Sequence, residues 1–229
     1  MHIKIFSYRF AEEILQHPRY LPIYEEIIEI CRGCPLPVYE GKSVAQRNKD
    51  IVQQIMNTYF RLRFVSLGWE PESLATPDDN EDALRSDFRK TFIDEETGEV
   101  VITMQIEVEF GNVASSYRNY FKFQLSFSYD LTDICVIIVP SYKVANRIDT
   151  GVSNFEKVVR EIPSAKLSIT VPILVVGLFD VDDAGNPELE WNVKTITEDL
   201  SILKGSKKET YERHCEIVQG YIDSLEELE

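Results

Sequence analysis

Apolar residues at three- and four-residue spacing over Tyr24-Glu25-Glu26-Ile27-Ile28-Glu29-Ile30, behind Pro22, predict an early helix. A longer helix is predicted from about Val44 to Phe64, with Ile51, Ile55, Tyr59 and Leu62 on one face. The first third thus reads as helical, from a charged N-terminal segment up to Gly68-Trp69-Glu70-Pro71. Residues Pro71 to Asn80 read as an exposed loop. The period then changes. Phe88 to Ile93 is strand-like, Asp94-Glu95-Glu96-Thr97-Gly98 is a turn, and Val100 to Phe110 is a longer strand rich in β-branched residues. Asn112 to Ser128 predicts a helix with Asn112 as N-cap and an aromatic stripe of Tyr117, Tyr120, Phe121, Phe123 and Phe127.

Two near-continuous apolar runs, Asp133 to Val139 and Ile173 to Phe179, have the signature of strands covered on both faces. Between them lie a loop from Pro140 to Ser153 and a helix from Asn154 to Ile162; the acidic remainder, Asp180 to Glu229, carries a helix over about Tyr211 to Leu228. This order implies an α/β fold, a three-layer core with a central mixed sheet flanked by helices. One domain over 1–229 is expected, its core about 86–179 and its acidic C-terminal extension about 180–229.

Composition adds place and partner. No apolar run is long enough for a membrane span, and no leader pattern opens the chain, so a cytoplasmic protein is expected. The four cysteines are too scattered for a disulfide framework. A net charge of −15 argues against nucleic acid until its distribution is read. Residues 113–169 carry 7 basic and 5 acidic side chains, a cationic middle in an acidic chain. Arg118, Lys122, Lys143, Arg147, Lys157 and Arg160 could line a DNA-facing surface, or could be ordinary solvated positions.

The candidate chemistry lies in Glu107-Val108-Glu109. Two carboxylates two apart on a strand share one face, and here they end an otherwise apolar strand. Burying them is costly unless a cation or a hydrogen-bond donor compensates. Mg²⁺ is held by one or two carboxylates plus waters and substrate phosphate. A regular hairpin turning at Thr97 would bring Asp87 opposite Glu107, so Asp87, Glu107 and the Val108 carbonyl could hold the metal. Glu109 would orient or deprotonate water, or bind a second ion. Asp94 and Asp82 are alternative first acids, and a plain exposed strand edge is the alternative to a site.

Ser86-Asp87-Phe88, Ile106 to Asn112, Ile137 to Pro140, Gly151 to Glu156 and Val171 to Leu178 occur in an order that resembles the BglII/BstYI family of type II restriction endonucleases, within the PD-(D/E)xK nuclease fold. The resemblance covers about 180 residues and leaves the C-terminal tail aside. It implies a homodimer cutting double-stranded DNA at a short palindrome around GATC with Mg²⁺, and a cognate DNA methyltransferase as genetic partner. It also implies Asp87 and Glu107 as metal ligands and catalytic residues. Glu109 stands where the family has Gln and the wider fold Lys, which leaves the general base open. Base reading is expected from Asn112, Ser115 and Ser116 with Arg147, Asp149, Thr150 and Ser153, short polar or Arg side chains suited to the major groove. Each has a plainer reading: Asn112 as a cap, Asp149-Thr150-Gly151 as a turn. The helix after Asn112 is the candidate dimer interface.

The alternative on the same fold is a non-cleaving DNA-binding or DNA-mimic protein, which the acidic total permits; a less specific repair-type nuclease is a third. Cys31-Arg-Gly-Cys34 and His214-Cys215 lack the second ligand pair of a zinc site, His17 reads as a loop residue, and no phosphate-binding or G-x-S-x-G motif is present.

Overall fold

The computed structural model describes residues 1–78, 83–165 and 168–227. Asp82, one alternative first acid, lies outside them, as do Asp79 and Asn80 of the expected loop. The chain opens on strand β1 (His2–Tyr8), not the helix its charged sequence suggests. All seven residues pair antiparallel with a strand far along the chain, and that distant edge decides the conformation. Helices α1 (Ala11–Leu15) and α2 (Leu21–Arg32) and the short β2 (Leu36–Val38) follow. Helix α3 (Gln53–Ser66) starts later than the pattern from Val44 predicts. The segment before it is a loop, with Val44 fully in solvent.

Strand β3 (Glu70–Pro71) joins the hairpin of β4 (Phe88–Ile93) and β5 (Val100–Val108). Next come α4 (Val113–Ser128) and β6 (Ile134–Pro140). The expected loop after β6 contains a further helix, α5 (Tyr142–Ile148), whose N-cap Ser141 accepts from the Val144 amide. Helix α6 (Phe155–Glu161) leads to β7 (Ile173–Phe179), the partner of β1. Strand β8 (Glu190–Asn192), α7 (Leu200–Leu203) and α8 (Lys208–Glu226) complete the described chain.

Among the described residues the main sheet has six strands in the order β1-β7-β6-β5-β4-β3, and β2 pairs with β8 separately. β5, β6 and β7 run parallel and the outer pairs antiparallel, so the sheet is mixed. Alternation sorts its two faces. Val136 and Ile138 of β6, with Ile106 of β5 and Val176 of β7, pack against Ile27, Ile55 and Phe60 of α2 and α3. Cys135, Ile137 and Val139 point the other way, into a second core with Tyr120 and Phe123 of α4 and Val158 of α6. Each fully buried Ile, Val or Leu contributes about 1.5–3 kcal/mol relative to exposure, so reversing either alternation is prohibitive.

The acidic C-terminal extension is not a solvated tail. Ile217, Val218 and Ile222 of α8 join the first core, and His214 is 1% exposed. Its Nε2 lies 2.7 Å from Thr58 Oγ1 on α3 and its Nδ1 lies 3.1 Å from the Ile202 carbonyl on α7. Cys31 and Cys34 are buried and unbridged, and burial pushes both thiols up. No helix among the described residues is long and apolar enough to cross a membrane.

Candidate active site

The β4–β5 hairpin sets the geometry. Its register runs from Phe92↔Ile102 to Phe88↔Ile106, so the next positions outward are Asp87 and Glu107. Regular pairing ends there, and the Asp87 carboxylate instead accepts from the Val108 amide at 2.8 Å. The acid is thereby fixed against the end of β5. Asp94, the alternative first acid, is at the other end of the hairpin. Its carboxylate caps the turn, accepting from the Glu96 and Thr97 amides at 3.0 and 2.9 Å.

Glu107 and Glu109 are 1% and 5% exposed, on the face of β5 that meets α4. The helix runs back along the strand, and two polar residues three apart on its inner face meet two carboxylates two apart on β5. Asn119 donates to Glu109 Oε2 at 2.9 Å, and the Lys122 ammonium is hydrogen-bonded to Glu107 Oε2. Gln105 donates to the other Glu107 oxygen at 3.3 Å, and Lys122 also donates to the Arg85 carbonyl at 3.1 Å. The second Glu109 oxygen accepts from the Gly111 amide at 2.7 Å. A Cβ on Gly111 would stand 2.7 Å from that oxygen, so the close approach requires glycine.

The electrostatics follow from burial. Desolvation, with Asp87 nearby, raises the Glu107 pKa although Lys122 opposes the shift. Desolvation lifts Glu109 to about 6 against the Gly111 amide. Asp87 is raised by desolvation, offset in part by the Val108 amide. Asp87, Glu107, Glu109, Arg118, Asn119 and Lys122 line one open pocket. A second cleft touches Asp87 from the α3 side and brings Arg61 and Glu72 to it.

Three carboxylates therefore share one pocket with the buried Lys122 ammonium and the Arg85 and Arg118 side chains, and the desolvation of those carboxylates is what a divalent cation would compensate. Among the described residues no group of three or more His, Cys, Asp or Glu side chains is gathered closely enough to hold a metal by itself.

The sequence offers Lys122 as a DNA-facing or an ordinary solvated position. The side chain is instead buried at 7% exposure in the acid cluster. Asn119, Glu72 and Arg61 reach the site without any motif that singles them out. A stripe of polar residues, Asn119, Lys122 and Ser126, on the helix face opposite Tyr117 and Phe121 carries the signal that finds Asn119 and Lys122.

The expected base-reading residues are spread differently. The loops carrying Asn112 and Val152 touch through an isolated bridge, and Ser153 and Val113 donate backbone bonds across them to Gly111 and Gly151. Asn112 caps α4 by accepting from the Ala114 and Ser115 amides at 2.9 and 3.2 Å. Ser115 lines the acid pocket, and Thr150 is exposed with its amide bonded to Asp149. Ser116 and Ser153 are buried. The Arg147 guanidinium is engaged by Asp50 at 2.9 and 3.0 Å and by Glu190 at 2.7 Å, tying α5 to the loop before α3 and to β8.

Comparison with known proteins gives a consistent picture. A family model described as restriction endonuclease BglII/BglIII matches residues 3–178. Among solved structures, restriction endonuclease BglII complexed with a DNA 16-mer superposes with a TM-score of 0.63 at 19% identity, over 80% of this chain and 78% of that one. Free BglII gives a TM-score of 0.51 at 18% identity, over 80% and 81%. Comparison with curated proteins gives no match. At such identities the superpositions establish the fold, and the family model, covering most of the chain, establishes descent. The chain belongs to the BglII/BglIII family of restriction endonucleases.

Proposed function

We propose that this protein is a type II endonuclease that hydrolyses double-stranded DNA at a short palindromic site, around a GATC core, with Mg²⁺. The observation that carries the reading is the pair Glu107 and Glu109, held almost without solvent at the mouth of an open pocket with Asp87 and Lys122. Asp87, Glu107 and the Val108 carbonyl would hold Mg²⁺, which supplies Lewis-acid polarisation of the phosphodiester and a lowered pKa for an attacking water. Glu109, with each oxygen fixed by a donor, orients that water and takes its proton. Lys122 keeps Glu107 aligned and adds positive charge beside the reacting phosphate. Asn112, Ser115, Asp149 and Thr150 are the proposed base readers, while Arg147, Ser116 and Ser153 support the loops that carry them.

A palindromic target calls for a two-fold dimer. Tyr117 and Phe121, 50% and 60% exposed on the outer face of α4, support that helix as the isologous contact. The cognate partner of such an enzyme is a methyltransferase that protects the same sequence.

Digestion of phage DNA with Mg²⁺ tests the reading. Discrete bands are expected, abolished in Glu107→Ala while duplex binding in Ca²⁺ persists. A smear would indicate a less specific nuclease. No cutting at any metal or salt condition would favour the non-cleaving DNA binder.

A further inference from the structure

We infer that Lys42, Lys49 and Lys204 form a binding site for the phosphate backbone of duplex DNA, built jointly by the loop before α3 and the C-terminal extension. The inference rests on the nuclease reading above and extends it to a part of the chain, beyond residue 178, that the family model does not cover.

The chain has 24 Lys and Arg against 39 Asp and Glu. Yet residues 41–49 contain Lys42, Arg47 and Lys49 and no acid, and residues 204–208 contain Lys204, Lys207 and Lys208 and no acid. These two cationic segments, remote in sequence, meet in the fold. Lys42 and Lys49 from the first and Lys204 from the second line one open polar cleft, in which Asp149 is the one acid among the described residues.

The charges there are poorly neutralised. Lys49 is 8% exposed and donates to the Asn146 carbonyl at 2.5 Å. Lys42 donates to the carbonyls of Ile51 and Ile148 at 2.5 and 2.9 Å. Carbonyls satisfy the donors but leave the net charge in place. Among the described residues none of the three ammonium groups has a carboxylate within salt-bridge distance. Asp50, the nearest acid in sequence to Lys49, is taken by the Arg147 guanidinium. Burial pushes the Lys42 pKa down; Asp149 and, more weakly, Asp50 offset part of that, and the neighbouring Lys204 and Lys49 add to it. Three cations are thus gathered with too little negative charge around them, and a polyanion would complete the arrangement.

Location selects the anion. Asp149 begins the loop that runs through Gly151 to Ser153, and that loop is hydrogen-bonded to Gly111 and Val113. Gly111 in turn holds Glu109. The cationic cleft and the acid cluster therefore flank the same pair of loops. A duplex seated with one phosphodiester at Glu107 would run its backbone past those loops toward the lysines. Interactions with the backbone of this kind add affinity and fix register without reading sequence.

The test is equilibrium binding in Ca²⁺, over a salt series, to two duplexes: a fragment the enzyme cuts and one of scrambled sequence. Lys42→Gln combined with Lys204→Gln should weaken binding to both alike. It should also reduce the slope of log K against log salt by about 0.9 for each phosphate left without its lysine. Because Lys42 also supports two carbonyls, Lys204→Gln is measured singly as well; its ammonium is not hydrogen-bonded among the described residues. An enzyme that still cuts, with a wild-type slope in Lys204→Gln and in the Lys42/Lys204 double variant, overturns this site alone. A wild-type chain that neither cuts nor binds any duplex overturns the nuclease reading and this site with it.

Discussion

The Lys122 ammonium of α4 is hydrogen-bonded to the Glu107 carboxylate of β5, and both side chains are buried. The pairing exists because α4 runs back along β5, so Asn119 and Lys122 align with Glu109 and Glu107 in reverse order. Removing one member of a buried ion pair costs roughly 3–5 kcal/mol when the remaining charge has no escape. Glu107 has an escape, since its raised pKa lets it take up a proton. Lys122→Met should therefore lower stability by about 1–3 kcal/mol, and the Lys122→Met/Glu107→Gln double variant should recover much of that loss. Urea denaturation at pH 8 reads this cycle. Ca²⁺ should raise the urea midpoint more in Lys122→Met than in wild type, because a divalent ion then becomes the remaining compensation for Glu107. Strictly additive single effects would refute the coupling.

Glu109 has one carboxylate oxygen on the Gly111 amide and the other on Asn119. Orientation is what those bonds supply, and a misplacement of about 1 Å can cost a hundredfold in rate. Asn119→Leu should slow single-turnover cleavage at least about tenfold while leaving duplex affinity in Ca²⁺ within about threefold. Gly111→Ala places a methyl group against Oε1 and should be slower still. Unchanged rates in both variants would remove Glu109 from the reaction.

Much of this geometry was legible in the sequence, and the reasons are local. β6 and β7 are continuous apolar runs bounded by turns, and the helix from Asn112 carries its own cap. The hairpin register follows from the position of its turn, which leads to Asp87 beside the end of β5. What failed was information held elsewhere in the fold. β1 has Ile3 and Ile5 in alternation, but only the open edge of β7 makes it a strand. Lys122 is masked by the aromatic residues around it, and its role depends on how α4 lies across β5. The ion pairs of Arg147 with Asp50 and Glu190 join segments far apart in sequence, which no local pattern reveals.

Raised carboxylate pKa values fix the sign of the metal dependence on pH. The folded state holds protons on Asp87, Glu107 and Glu109 that the unfolded chain has already released, from the ordinary carboxylate range up to about 6 for Glu109 and higher for Glu107. Stability from this cluster is therefore greatest at low pH and falls as pH rises through that window. A divalent ion needs the deprotonated groups and competes with those protons. Calorimetric titration with Ca²⁺ should show affinity rising from pH 5.5 to pH 8, with proton release at the lower pH. In Glu107→Gln the rise should be smaller; a pH-independent affinity would contradict the shared acid cluster.

His214 imposes the opposite sign at the other end of the molecule. Its Nδ1–H donates to the Ile202 carbonyl, and its Nε2 then accepts from the Thr58 hydroxyl, so the neutral ring is fully satisfied at 1% exposure. Burial lowers its pKa below the ordinary histidine value. The unfolded chain takes up that proton first. The contribution of His214 is complete above about pH 6.5, the usual histidine value, and is lost as pH falls below it. Because α8 meets α3 and α7 through this ring, the loss should show locally. The protection of the α8 amides, measured as exchange relative to the intrinsic rate at each pH, is expected to fall between pH 7 and pH 5, while β6 and β7 stay protected. In His214→Gln that pH-dependent loss of protection should vanish, against a helix less stable at every pH. If α8 and the central strands lose protection together in wild type, His214 does not control the docking of this helix.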